Sequence, residues 1–330
     1  MTTWAGMRRS WLRAVAAGGI LAALGMAGVG MAAPAMGETS DAVASSRLVQ
    51  PDPDGLSRRL AQAHAAESAG DLQAAGEIYR STVAEHPDDA VIWSTYGEFL
   101  RFLVHDSTAA RHAFLQALRV AHPSHQERAL ALKGLGDIAF ACGDAQGAMV
   151  LMRQSLAFYP LAETHRALGV VLLVARHDVP AAAEQARQAV DLAPDEPLSL
   201  LVYAILCERL GHHDDGRAAC TRALAIAGCD EQGRAAHWVH CCVFYNAACY
   251  LSVCGRRAAA LTMLGAFFHA PNHLHRSRQD IETDPDFSGL NHDPAFIALL
   301  DRNLPRQLGD TLRTSSPCPS CVSAPPQVTR

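Results

Sequence analysis

Residues 56–270 repeat a pattern in which a small residue lies inside an apolar, helix-favouring stretch. The first series of small residues recurs at intervals of 33 to 44 positions, at Ala63, Gly97, Gly136, Gly169, Ala204 and Ala248. A second series follows 12 or 13 positions later in each unit, at Ala75, Ala110, Ala148, Ala182, Gly216 and Ala260. Two antiparallel helices pack closely only where neither carries a bulky side chain at the crossing point. The pattern therefore predicts six helix pairs.

A turn signal separates the two small residues of every unit. It is a Gly-Asp or His-Asp pair in the first four units and a Gly-His or Gly-Arg pair in the last two. Glycine tolerates the left-handed backbone that ends a helix, and aspartate caps the helix that follows. Proline cannot continue a helix, and it closes the first four units at Pro87, Pro123, Pro160 and Pro194. Because aromatic residues make up only 6% of the chain, helices are favoured over sheets, and we predict an all-α fold.

Three stretches carry a family resemblance. Residues 93–100 have the sequence WSTYGEFL. It contains a tryptophan, then an apolar residue followed by glycine, then a further apolar residue. Residues 70–87 and 143–160 supply the second half of the same motif, from Gly-Asp to the closing proline. With a period near 34, these residues resemble the tetratricopeptide-repeat family. The resemblance implies a right-handed superhelical α-solenoid of about six helix pairs.

Residues 284–300 resemble the C-terminal segment of exported bacterial members of that family. Asp-Pro pairs begin at positions 284 and 293, and each places an N-cap before a proline in the first helical turn. An apolar stripe at helical spacing follows, at Phe296, Leu299 and Leu300. The resemblance implies a capping helix that covers the last core face.

The N-terminal residues have the composition of an export signal. Arg8, Arg9 and Arg13 precede an uncharged stretch rich in glycine and alanine, which ends in small residues at positions 33–35. The paired arginines suit a twin-arginine route as well as general secretion, so we expect a periplasmic or secreted protein. A retained leader would instead make the chain a membrane-anchored subunit of an assembly or secretion complex. The predicted signal peptide, polar linker, solenoid and disordered tail span residues 1–35, 36–55, 56–303 and 304–330.

The charge of the chain argues against nucleic acid as its partner. The formal net charge is −5, and the mildly acidic body lacks the basic face that nucleic acid requires. No second stretch is apolar for long enough to span a membrane, so the mature chain is expected to be soluble. We expect a protein or peptide partner and no cofactor.

Stacked helix pairs present their first helices on an inner wall, and the register of the repeat predicts which side chains line it. The predicted groove residues are Glu98, Arg101, Phe102, Lys133, Asp137, Phe140, Arg166, Leu173, Ile205, Glu208, Arg209 and Tyr245. This wall begins with charged residues and becomes apolar, which suits a peptide with an apolar stretch and a few charges. Some family members hold a partner's terminal carboxylate with asparagine and lysine, but the asparagines are missing here.

Cysteine and histidine offer the remaining candidate chemistry. Cys207 and Cys220 face each other across one predicted helix pair, so they could form a disulfide or serve as small core residues. Cys318 and Cys321 have redox-motif spacing in the predicted tail. A zinc site is the other alternative, from His237, His240, Cys241, His269, His273 and His275. Without a catalytic constellation we predict a non-enzymatic interaction scaffold, with a thiol-redox or metal-binding envelope assembly factor as the alternative.

Overall fold

The computed structural model describes residues 55–120, 123–235, 241–270 and 277–305. All the regular elements of the described residues are helices. Their one β-bridge joins Cys229 and Ala235. The predicted signal peptide, most of the linker and the tail lie outside the described residues. So do His237, His240, His273, His275, Cys318 and Cys321. No helix in the described part is long and apolar enough to cross a membrane.

The chain divides into two units at His86 and Pro87. The smaller unit holds one described helix pair, α1 (Leu56–Ser68) and α2 (Leu72–Glu85). Ala63 and Ala75 are fully buried in it, as expected for residues at a helix crossing.

The larger unit contains five further helix pairs, and each packs against the next. Its helices are α3 (Ala90–Phe102), α4 (Ser107–Arg119), α5 (His125–Ala141), α6 (Ala145–Phe158), α7 (Ala162–Arg176), α8 (Val179–Leu192), α9 (Pro197–Arg209), α10 (His213–Ala227), α11 (Cys241–Val253) and α12 (Arg257–His269). Odd-numbered helices are the first members of their pairs and even-numbered helices are the second. This arrangement confirms the predicted all-α solenoid, with five of the six helix pairs in the larger unit and one in the smaller.

Residues 277–305, here named the C-terminal segment, pack on the last helix pair. They form α13 (Arg278–Glu282), a 3₁₀ helix (Pro285–Leu290) and α14 (Pro294–Asn303). Phe287 and Phe296 are almost completely buried and belong to the same core as α9 to α12. The 3₁₀ helix lies on α11, while α14 lies on α12.

The turns follow the predicted capping chemistry. Asp106, Asp144 and Asp178 each accept a hydrogen bond from a first-turn amide of the second helix in their pair. Gly143 ends the turn before one of these caps with a φ of 88°. His177 occupies the corresponding left-handed position with a φ of 56°, which is uncommon for a residue with a Cβ atom.

Small residues stand where the helices of a pair cross. A Cβ atom added at Gly169 would lie 3.0 Å from the carbonyl oxygen of Ala182. A Cβ atom added at Gly216 would meet the carbonyl oxygen of Ala204 at the same distance. Backbone atoms cannot yield as a flexible side chain can, so these contacts fix the rotation of each helix against its partner.

Two other glycines, Gly97 and Gly134, make room for the ring of Phe114. Phe114 of α4 is fully buried, and its ring occupies the space that a side chain at Gly134 would need. A Cβ atom there would lie 2.3 to 2.7 Å from the ring, and one at Gly97 would lie 2.9 to 3.0 Å from it. Phe114 therefore joins α3, α4 and α5 through one close-packed contact.

Replacing Gly134 with alanine should lower the free energy of unfolding by about 1–3 kcal/mol, because the added methyl group overpacks the Phe114 ring. Gly265→Ala is the matched control, since a Cβ atom at Gly265 meets nothing within 4 Å. That control should be neutral or stabilised by less than about 1 kcal/mol. Chemical unfolding followed by far-ultraviolet circular dichroism measures both. Equal stability of the two variants would show that Phe114 does not restrict this crossing.

Candidate partner-binding site

Seven charged side chains on consecutive first helices form two sets of ion pairs, one centred on Lys133 and one joining Arg166 to Glu196, and together they are here named the charged wall. The wall begins on α3, continues through α5 and α7, and ends at the N-terminus of α9. Five members were predicted from the register of the repeat, and Glu163 and Glu196 were not. The members are Glu98, Arg101, Lys133, Asp137, Glu163, Arg166 and Glu196.

Lys133 is the centre of the charged wall. Its side chain is 1% exposed, and its Nζ atom lies 3.0 Å from Asp137 Oδ2. The same atom lies 3.6 Å from Glu98 Oε1 and 3.6 Å from Glu163 Oε2. These three carboxylates come from α5, α3 and α7. One ammonium group thus links three successive helix pairs, and its burial is tolerable because it is surrounded by opposite charge.

Arg101 forms a second bridge between α3 and α5. Its guanidinium lies 2.7 Å from Glu98 Oε2 and 3.1 Å from Asp137 Oδ2. The same guanidinium lies 3.5 Å from the centre of the Phe102 ring. The planar group therefore combines two ion pairs with a cation–π contact in a buried position.

Arg166 and Glu196 extend the wall to α9. Arg166 Nε lies 3.7 Å from a Glu196 carboxylate oxygen. Glu196 also caps α9, since its carboxylate accepts hydrogen bonds from the Leu198 and Ser199 amides. Both glutamates missed by the sequence analysis lie at the start of a first helix, where carboxylates are favoured by the helix dipole. A glutamate at the start of a first helix is therefore the sequence feature that identifies both residues.

The apolar part of the predicted groove offers little open surface. Phe102, Phe140 and Ile205 are buried, the last two within the apolar clusters of the core. Val170 and Leu173 of α7 are half-buried and pack against one of those clusters. The half-buried pair on α7 is therefore the part of the apolar stripe that another molecule can reach.

At α9 and α11 the C-terminal segment of the chain covers part of the predicted groove. The Tyr245 hydroxyl donates a 2.6 Å hydrogen bond to Asp284 Oδ2, and its ring meets that of Phe287 edge to face. Arg209 forms an ion pair with Asp286. Arg209 and Tyr245 were expected to face an open groove, but they hold the chain's own C-terminal segment. Glu208, the remaining groove residue there, is hydrogen-bonded to His213 Nδ1 at 2.7 Å.

The repeat geometry and the family comparison agree. A family model described as the tetratricopeptide repeat matches residues 104–163 and 169–230. The matched residues are tetratricopeptide repeats. No curated protein matches this chain.

Solved structures similar to this chain have low sequence identity. One is YrrB, titled a TPR protein with an unusual peptide-binding site, at 19% identity and a TM-score of 0.37, covering 62% of this chain and 97% of that chain. Another is pilF of Pseudomonas aeruginosa, at 14% identity and a TM-score of 0.45, covering 63% and 88%. A third is PilW, titled a widely conserved type IV pilus biogenesis factor, at 13% identity and a TM-score of 0.47, covering 67% and 97%.

One group of side chains in the protein brings potential metal ligands together. Ligand atoms of Cys249, Asp284 and Asp286 lie within 4.8 Å of one another, the one such group among the described residues. However, Asp284 accepts from the Tyr245 hydroxyl and from the Asp286 amide, and Asp286 pairs with Arg209. These carboxylates are already engaged in holding the C-terminal segment.

Of the two alternatives for Cys207 and Cys220, a disulfide and small core residues, the structure shows the second. Cys207 and Cys220 are both free and buried. Cys207 packs opposite Gly216, one helical turn before Cys220, where a Cβ atom on the glycine would lie 3.5 Å from the Cys207 Cβ atom. The two thiols are thus offset along the helix pair, and both act as small core residues.

Burial also opposes thiol chemistry. It raises the pKa of the Cys220 thiol to about 12, with a further contribution from the Glu231 carboxylate. Burial raises the pKa of the Cys229 thiol to about 11. Since the thiolate is the reactive form, both groups are suppressed as nucleophiles near neutral pH.

Lys133→Ala should destabilise the fold by about 3–5 kcal/mol, because the substitution leaves buried carboxylates without their central cation. Arg187→Ala is the matched control. Arg187 pairs with Glu184 and Asp191, but all three side chains are about half exposed, so solvent already screens them. The unfolding midpoint should fall for the first variant and stay unchanged for the second. A midpoint shift of the same size in both would contradict the central role of Lys133.

Cys220 of the folded protein should react with iodoacetamide at pH 8 about a thousandfold more slowly than in the urea-unfolded chain, because few folded molecules carry its thiolate. Site-resolved mass spectrometry of reduced protein measures both rates. Fast modification in the folded state would show that the thiol is accessible and ionised, and would revive the redox alternative.

Proposed function

We propose that this protein is a non-enzymatic scaffold that binds a segment of another protein on the face formed by α3, α5, α7 and α9. Tetratricopeptide repeats are generally protein-interaction modules. The observation that carries the proposal is the charged wall, in which four consecutive first helices bring polar side chains to one face. Such a face offers an extended partner both charged groups and the half-buried apolar side chains of α7.

The proposed binding surface excludes the end of the predicted groove. Arg209 and Tyr245 are engaged with Asp286 and Asp284, so a partner would have to displace the C-terminal segment to reach them. We therefore limit the surface to the stretch from Glu98 to Glu196. A segment lying along it would cross four helices spaced roughly 10 Å apart.

We further propose that the scaffold acts in the bacterial cell envelope, in the periplasm or secreted. This location depends on the basic start and small-residue end of residues 1–35. N-terminal sequencing of the protein recovered from the envelope distinguishes a cleaved leader from a retained one. A retained leader would support a membrane-anchored subunit of an assembly or secretion complex.

A double variant, Val170→Thr with Leu173→Gln, should abolish partner capture while leaving the fold intact, since both side chains are half-buried on the proposed face. The matched control is Val150→Thr with Leu192→Gln, which makes the same changes at exposed positions on second helices. Affinity capture from an envelope extract with quantitative mass spectrometry compares the two with the wild type. Captured proteins should fall at least about tenfold for the first variant only.

Two outcomes of that capture would count against the proposal. Equal loss in both variants would place binding on the second helices or reflect a general change in the surface. Unchanged capture by the α7 variant, with circular dichroism confirming its fold, would exclude this face as the binding surface.

A further inference from the structure

The charged wall contains more carboxylates than cations. Its four carboxylates belong to Glu98, Asp137, Glu163 and Glu196, while its three cations belong to Arg101, Lys133 and Arg166. An excess of buried negative charge is costly unless a cation or several hydrogen-bond donors neutralise it. Glu196 obtains such donors from the N-terminus of α9. The remaining carboxylates are grouped around Lys133.

Glu98 and Glu163 are the two loosely held members of that group. Each lies 3.6 Å from Lys133 Nζ, beyond the length of a hydrogen bond. Their side chains are 15% and 13% exposed, compared with 6% for Asp137. Glu98 Oε2 is held by Arg101, but its Oε1 faces Lys133 across the longer gap. These two carboxylates are thus the members of the group around Lys133 that solvent reaches most easily.

Two buried atoms at the same place have unused hydrogen-bonding capacity. Lys133 Nζ and Asp137 Oδ2 make no hydrogen bond among the described contacts, although each belongs to a residue at least 95% buried. The 3.0 Å contact between them is an ion pair without hydrogen-bond alignment. A buried ammonium donor and a buried carboxylate acceptor of this kind normally have a partner. Neither atom is accessible to solvent, so the pair is held by charge inside the wall, and a ligand would meet the more exposed carboxylates of Glu98 and Glu163 instead.

A metal ion does not match this arrangement. Among the described residues, the carboxylate oxygens of Glu98, Asp137 and Glu163 do not come within 4.8 Å of one another as a set. A guanidinium matches it better, because its five N–H donors point along different edges of a planar group and can bridge two separated carboxylates.

We infer that the partner segment presents an arginine side chain to Glu98 and Glu163, the two partly exposed carboxylates around Lys133. The inference rests on the proposed function and specifies its ligand as a basic peptide segment. An acidic segment or a terminal carboxylate is disfavoured, since it would approach a lysine already surrounded by three carboxylates.

A displayed library of random 12-residue peptides tests the inference. Selection is carried out on the wild-type protein, on Glu98→Gln/Glu163→Gln, and on the control Glu184→Gln, whose carboxylate lies on the second helix α8. Peptides recovered by the wild type and by the control should be enriched in arginine at one position. That enrichment should disappear for the double variant, whose fold is checked by circular dichroism.

The strongest selected peptide is then resynthesised with citrulline, the uncharged isostere, in place of its arginine. Fluorescence anisotropy should show at least about tenfold weaker binding of the citrulline peptide to the wild type, and a much smaller difference for the double variant. Equal affinity for both peptides on the wild type would overturn the inference.

The failure of this inference differs from the failure of the proposed function. Selected peptides without basic enrichment that still lose binding to Val170→Thr/Leu173→Gln would overturn the arginine site and leave the scaffold function standing. Recovery of no peptide by the wild-type protein would overturn both. Peptides that bind the Glu98→Gln/Glu163→Gln variant as tightly as the wild type would overturn the arginine site alone.

Discussion

The close crossing of the two helices in each pair is the constraint on which the proposed site depends. At Gly169 and Gly216 the space for a Cβ atom is limited by a carbonyl oxygen of the facing helix, so neither helix can rotate without losing the contact. Once the small residue is turned toward the second helix, the positions three before it and one after it lie about 60° and 100° around the helix from it, together on one flank. Lys133 and Asp137 hold these two positions around Gly136. The crossing therefore places the charges as well as packing the core.

The charged wall adds a second level of coupling between helix pairs. The hydrophobic effect has no direction, so between neighbouring repeats it specifies register less sharply than paired charges do. Lys133 limits the register, since its ammonium must remain close to carboxylates from its own helix and from both neighbouring first helices. Arg101 makes a second connection between α3 and α5. The cost of burying these charges is offset only in one register, so the network favours a single arrangement of three pairs.

The sequence was informative wherever the determining contacts are local. The small-residue series, the turn signals and the caps depend on residues within about one helix pair. All three could therefore be predicted from the sequence. The register also located Arg101, Lys133 and Asp137 on one face. It could not locate the C-terminal segment on Arg209 and Tyr245, because the ion pair with Asp286 joins residues 77 positions apart. Nor could helical register alone reveal the one-turn offset between Cys207 and Cys220, which depends on the contact at Gly216.

The distribution of charge gives the two ends of the first-helix face different roles. The C-terminal segment is acidic where it meets α9 and α11, and Asp284 and Asp286 obtain their donors from Tyr245 and Arg209. If this segment moved toward α5, the same aspartates would approach Glu98 and Glu163, and like charges at short range repel. The acid-rich centre of the wall thus offers the chain's own acidic segment no favourable partner, whereas α9 and α11 do. A ligand of opposite charge is not subject to that repulsion, which is why the centre of the wall suits a basic partner segment.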